Sequence, residues 1–189
     1  EFRFVVIPPQ SPLTEASHTL YNHCWQPLTK DKGEYKKYLG DYLTLGALDK
    51  DGNLAGQISF SYAEDKISCV SICSAHYKPK PVPENGETLS KEYVREYLLS
   101  GNDPVMNFHS RLGAELIEVI QGGRPEDKSS LGYTMLLHYP QTETEVEELC
   151  GPVSNQLIQA VRLLAHESGA DVYAISRPGG LASYVNRTM

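Results

Sequence analysis

Apolar residues recur in two rhythms along this chain. Leu13, Ala16, Leu20, Tyr21, Cys24 and Trp25 come at intervals of three or four or side by side, which lines one face of a helix. Ser11-Pro12 ahead of them predicts the start of that helix, a capping hydroxyl followed by a residue that tolerates the first helical position. A short charged helix is expected around Glu34 to Leu39. The β-rich run Phe2 to Ile7 predicts a strand, ended by Pro8-Pro9. Tyr42 to Leu48 and Ala55 to Tyr62 read as strands joined by the turn-rich Asp49-Lys50-Asp51-Gly52-Asn53. Ile67 to Ser74 follows the short turn Ala63-Glu64-Asp65 and completes an antiparallel meander.

The second half repeats both rhythms. Lys78 to Glu87, with three prolines and Asn85-Gly86, predicts a loop. Leu89 to Leu99 predicts a helix with Tyr93, Val94, Tyr97 and Leu98 on one face. Asp103-Pro104 opens another helix, which carries Phe108 and His109 and stops at Gly113. Leu116 to Ile120 and Leu131 to Tyr139 are expected strands, joined by the polar stretch Gln121 to Ser130. The strongest helical stripe comes late, at Val153, Leu157, Ile158, Ala160, Val161, Leu164 and Ala165, with Gly169 as its terminator. It leads into a strand, Val172 to Ser176, ended by Pro178-Gly179-Gly180.

With 189 residues, the expected organisation is a single domain over 1–189. A hydrophobic share of 40% and a charged share of 22% fit a globular chain. The net charge of -7, with no basic block to offset it, argues against a nucleic-acid partner. No apolar run reaches the length of a membrane span, no secretory leader is seen, and a cytoplasmic setting is the default. Cys24, Cys69, Cys73 and Cys150 lack the paired spacing of a zinc site, and Cys69 and Cys73 read as buried free thiols, so no metal is expected. A chain that opens on Glu1 rather than Met is expected to be part of a larger protein with neighbouring domains.

The segment Asn102-Asp103-Pro104-Val105-Met106-Asn107-Phe108-His109, followed by Gly113-Ala114, resembles the signature of the GNAT superfamily of N-acyltransferases. The resemblance implies an α/β fold with a mixed, mostly antiparallel central sheet and helices on both faces. It implies an acyl-CoA or acyl-carrier (phosphopantetheine) thioester as co-substrate. His109 then stands where the family usually has a Tyr proton donor, and Asn102 structures the cofactor side. The family's cofactor helix and fifth strand are missing from mid-chain. Gly151-Pro152-Val153-Ser154-Asn155 through Arg177 resembles them instead, which implies a permuted order with that unit at the C-terminus. The competing arrangement makes Ile67 to Ser74 the fifth strand and the C-terminal unit an embellishment.

In the permuted order Gly151, Ser154 and Asn155 are the cofactor-binding positions. That loop departs from the family's glycine-rich pattern: it has one Gly and a Pro without an N–H, and Glu145, Glu147 and Glu148 precede it. A narrower resemblance runs through Asp103-Pro104, Phe108-His109, Gly113-Ala114, Arg124-Pro125-Glu126-Asp127 and Tyr139, departing at Gly123, where Tyr is usual. It points to the subgroup that includes GNAT-like loading and decarboxylase domains of polyketide synthases. There a strand hydroxyl, Ser176 or Ser71, and a His109 imidazolium would hold the acyl carboxylate, with Arg124 and Ser71 as substrate contacts. Three functions follow: acyltransferase first, thioester decarboxylase second, and a non-catalytic module of the same fold third.

Overall fold

The computed structural model describes residues 1–79, 88–141 and 149–188. The Asn85-Gly86 turn, most of the Lys78 to Glu87 loop, and Glu145, Glu147 and Glu148 lie outside the described residues. In chain order the elements are β1 (Arg3–Val6), α1 (Thr14–Cys24), α2 (Lys32–Asp41), β2 (Leu43–Leu48), β3 (Leu54–Ala63) and β4 (Lys66–Ser74). Then come α3 (Lys91–Leu99), α4 (Pro104–Arg111), β5 (Glu115–Ile120), a 3₁₀ turn (Lys128–Ser130), β6 (Thr134–Tyr139), α5 (Val153–Ser168), β7 (Asp171–Ser176) and α6 (Leu181–Thr188).

The architecture is α/β, with seven strands in one sheet ordered β1-β2-β3-β4-β7-β6-β5. The pairs β1–β2, β2–β3, β3–β4 and β5–β6 are antiparallel. The last strand of the sequence lies between β4 and β6. That is where the permuted order puts it. The competing arrangement fails, because β7 is an interior strand of the sheet and not an embellishment.

Contacts divide the chain into two compact units, Glu1–Pro79 with Gln141–Val172, and Lys80–Pro140 with Tyr173–Met189. In the first unit the two faces of β3 differ. Gly56 lies so close to α5 that an added Cβ would stand 2.9 Å from Val153 Cγ2 and 3.2 Å from Leu157 Cδ1. Alternation puts Ile58 and Phe60 on the same face, so this side is apolar. On the opposite face Gln57 meets Ser17 of α1 and Tyr35 of α2. The pairing of β3 with β4 skips Val70: Ser59 opposes Ser71 but Phe60 opposes Cys69. Neighbouring residues of β3 face opposite ways, so this bulge sends Ser71 to the polar face and Cys69 to the apolar one.

Helix α1 begins at Thr14, later than Ser11-Pro12 suggests, because the Ser11 hydroxyl accepts from Leu13 N–H in a preceding turn. Ala16 is exposed and Ser17 is fully buried in its stead. Helix α2 starts on a reciprocal cap between Asp31 and Glu34. In the second unit, α3 is capped by Ser90 and buries Val94, Tyr97 and Leu98. Strand β6 starts at Thr134 because Leu131 and Gly132 have positive φ and cannot extend the ladder. The sequence pattern gave no sign of α6, whose Leu181 and Ala182 are buried.

Candidate active site

The residues singled out from sequence fall into two sets. Asn102, His109, Arg124 and Ser176 belong to the second unit; Ser71, Gly151, Ser154 and Asn155 belong to the first.

His109 is 2% exposed near the end of α4, and its Nδ1 lies 2.6 Å from the Tyr139 hydroxyl at the end of β6. Phe108 packs against the ring edge-on. Burial pulls His109 down to about 4, below its ordinary value. The ring is therefore neutral at neutral pH, and its burial disfavours the imidazolium that the loading-domain resemblance calls for. What the geometry offers is a neutral imidazole and a phenol within one hydrogen bond.

The helix that carries His109 is fixed at its other end by Asp103, which is fully buried. Its Oδ1 accepts from Val105 N–H at 3.0 Å and Met106 N–H at 2.9 Å, the open donors of the first turn. Its Oδ2 accepts the Tyr97 hydroxyl at 3.0 Å and Gly180 N–H at 3.0 Å, and Gly179 N–H reaches both oxygens. Asn102, beside it, is exposed and donates only to the Ser100 hydroxyl, at 2.8 Å.

Ser176 ends β7, half-buried. The next residue, Arg177, donates to Asp127 Oδ2 at 3.1 Å and to Ser129 Oγ at 3.3 Å. Asp127 is fully buried, and its other oxygen accepts from Ser129 N–H and Oγ at the head of the 3₁₀ turn. The chain on the far side of Ser176 is thus held by two carboxylates. Arg124 is half-buried in the Gln121–Ser130 connection, where its N–H donates to Gly132 O. Gly123 has no room for the Tyr of the subgroup pattern: a Cβ there would stand 2.1 Å from Thr134 Oγ1.

In the first unit, Ser71 is buried and its hydroxyl accepts Trp25 Nε1–H at 2.7 Å. Tyr35 is joined to Ser17 and Gln57, and burial pushes its phenol up to about 12. Tyr38 is pushed up further, for the same reason. Helix α5 begins at Pro152 with no side-chain cap and no acidic residue in its first turn. Gln156 Nε2 donates to Gly151 O at 2.9 Å, and Gln159 both accepts from Cys150 N–H and donates to Cys150 O. Those two glutamines tie the loop to its helix, and the Asn155 side chain lies against Gly151. At the end of β3, Tyr62 and Glu64 are exposed, and Glu64 takes a left-handed turn.

Among the described residues no three His, Cys, Asp or Glu side chains are placed to share a metal ion. Nor is any described helix long and apolar enough to cross a membrane. The sequence did not reveal the roles of Asp103, Asp127, Arg177 and Gln57, because each has a partner 40 to 77 residues away.

No protein-family model matches the chain, and no curated protein does. Solved structures with a distant likeness include the ribosomal-protein-S18-alanine N-acetyltransferase from Escherichia coli, 12% identical with a TM-score of 0.42, over 64% of this chain and 83% of that one. Another is a GNAT superfamily phosphinothricin acetyltransferase from Sinorhizobium meliloti in complex with AcCoA, 15% identical with a TM-score of 0.38, over 64% and 78%. A third is Chaetomium thermophilum Naa20 in complex with a bisubstrate analogue, 16% identical with a TM-score of 0.35, over 67% and 80%.

Proposed function

We propose that the protein is an acyltransferase of the GNAT type that moves an acyl group from a CoA or carrier thioester to an amine. The observation that carries the reading is the buried His109–Tyr139 pair, at the position where the signature expects a proton donor. When the amine attacks the thioester carbonyl, the tetrahedral adduct collapses by breaking the C–S bond. The departing thiolate then needs a proton. With the Tyr139 hydroxyl donating to Nδ1, the neutral ring holds its proton on Nε2. That proton passes to sulfur as Nδ1 takes the phenol's proton, and the tyrosinate recovers one from the acylated ammonium by way of solvent.

On this reading the uncapped start of α5, with Gly151, Ser154 and Asn155, receives the donor's phosphates. Its free N–H groups and the absence of first-turn acids favour an anion. Asn102, Arg124, Ser71 and Ser176 remain proposed contacts without an assigned atom. The decarboxylase reading needs a positive imidazole, and the burial of His109 works against it. Cytoplasmic location and carrier or domain partners belong to the proposal as well.

The test joins binding to turnover. Acetyl-CoA should raise the melting temperature, and free thiol should appear when a panel of amines is added. Tyr139→Phe and His109→Gln should keep the thermal shift and lower kcat by about 10²- to 10⁴-fold. A protein that neither binds acetyl-CoA nor releases thiol from it would sink the acyltransferase reading and leave the non-catalytic module.

A further inference from the structure

The turn after β7 and the start of α4 are joined more closely than a simple helix cap requires. Gly179 lies directly on the first turn of α4, where an added Cβ would stand 2.4 Å from Val105 Cγ2 and 3.2 Å from Pro104 Cγ. No other residue fits there without a shift of the turn or of the Val105 side chain. The N–H groups of Gly179 and Gly180 both point into the Asp103 carboxylate that caps the helix. One buried side chain therefore accepts from four backbone N–H groups on two segments, one adjoining it and one 76 or 77 residues further on, and from the Tyr97 hydroxyl. The two segments lead to His109, on α4, and to Ser176, a proposed contact three residues before Gly179.

We propose that Asp103 is a positioning residue that docks the Arg177–Gly180 turn onto α4, so that the end of β7 and the His109 helix keep one fixed arrangement. The inference rests on the acyltransferase reading for its catalytic meaning, but the docking can be tested without it. The division of labour between the oxygens makes the test clean. Oδ1 faces the helix donors, and Oδ2 faces Gly180 N–H, the shorter Gly179 contact and Tyr97. In Asp103→Asn the amide oxygen can keep the cap, since Asn caps as well as Asp. Its NH2 must then face two N–H donors and cannot accept from them.

The experiment is amide hydrogen exchange read by NMR on the wild type, Asp103→Asn and Gly179→Ala, together with kcat and KM for thiol release from acetyl-CoA. Both variants should keep the protection of the α4 amides at Asn107 and beyond. Exchange of the amides at positions 179 and 180 should quicken at least about tenfold, while kcat falls on the order of 10²-fold and KM for acetyl-CoA stays within about threefold. Unchanged exchange at the two glycines would overturn the docking. Equal loss of protection along α4 and the turn would show ordinary helix capping instead, as would a kcat that follows only the fraction folded. If the wild type releases no thiol from acetyl-CoA, the acyltransferase reading fails, and the glycine exchange still decides whether Asp103 docks the turn.

Discussion

The two units bury polar side chains of opposite electrical character. In the first, Ser17, Tyr35 and Gln57 satisfy one another, Thr44 pairs with Ser59, and Ser71 accepts from Trp25, all as neutral groups. In the second, two ionisable carboxylates, Asp103 and Asp127, are fully buried, and Asp127 pairs with Arg177. A neutral network loses little when one member goes, since each bond contributes modestly. A buried charge left without its partner is far more costly. The first unit therefore reads as a specified scaffold. The second concentrates its stability in a few joints, and those joints flank the proposed chemistry.

Breaking the ionic joint should give the largest effect. Asp127→Ala removes the carboxylate that faces Arg177, whose side chain is 13% exposed, and uncaps the 3₁₀ turn. Urea unfolding should show a loss of roughly 3 to 5 kcal/mol; a loss below about 1 kcal/mol would mean that water already shares the pair. Next comes His109. Its folded value, about 4, lies below the ordinary His value of about 6.5, so the unfolded chain binds the proton first as pH falls. Stability from the neutral ring is whole above about pH 6.5 and is lost between about 6.5 and 4, roughly 3 kcal/mol in all. His109→Gln should unfold with a correspondingly flatter pH dependence across that window, and equal slopes in the two proteins would refute the buried neutral ring. The smallest change belongs to the neutral layer. Tyr35→Phe removes a hydroxyl from the Ser17–Gln57 trio and should cost about 1 to 2 kcal/mol, with no pH dependence between 5 and 8.

Periodicity made most of this fold legible. The meander, the helix on Asp103-Pro104 and the late stripe with its Gly169 stop all stand close to where the pattern puts them. Even the unusual place of β7 followed from matching each element to a family order. The pattern failed where a distant partner decides. Ser17 turns inward in place of Ala16 because Gln57, 40 residues on, offers it an acceptor. Asp103 looked like a local cap, and nothing near it announces Gly179 and Gly180. Nothing next to Arg177 in sequence announces its ion-pair partner Asp127, 50 residues earlier. Helix α6 was hidden because Pro178-Gly179-Gly180 reads as an ending, whereas here it is a corner packed on α4.

The skipped residue Val70 has a consequence for how this chain tolerates change. It works as a phase shifter: upstream and downstream halves of β4 are read on opposite beats. Deleting it would be a one-residue edit at a half-buried position. Ser71 would then follow Cys69 directly, the two still opposite Ser59 and Phe60, so the bulge would close and both halves would keep their faces. Ser71 would stay turned toward Trp25, and Ile72 would stay opposite Ile58. The strand therefore has one residue to spare at this point, and a shortening by one there costs it no partner across the ladder.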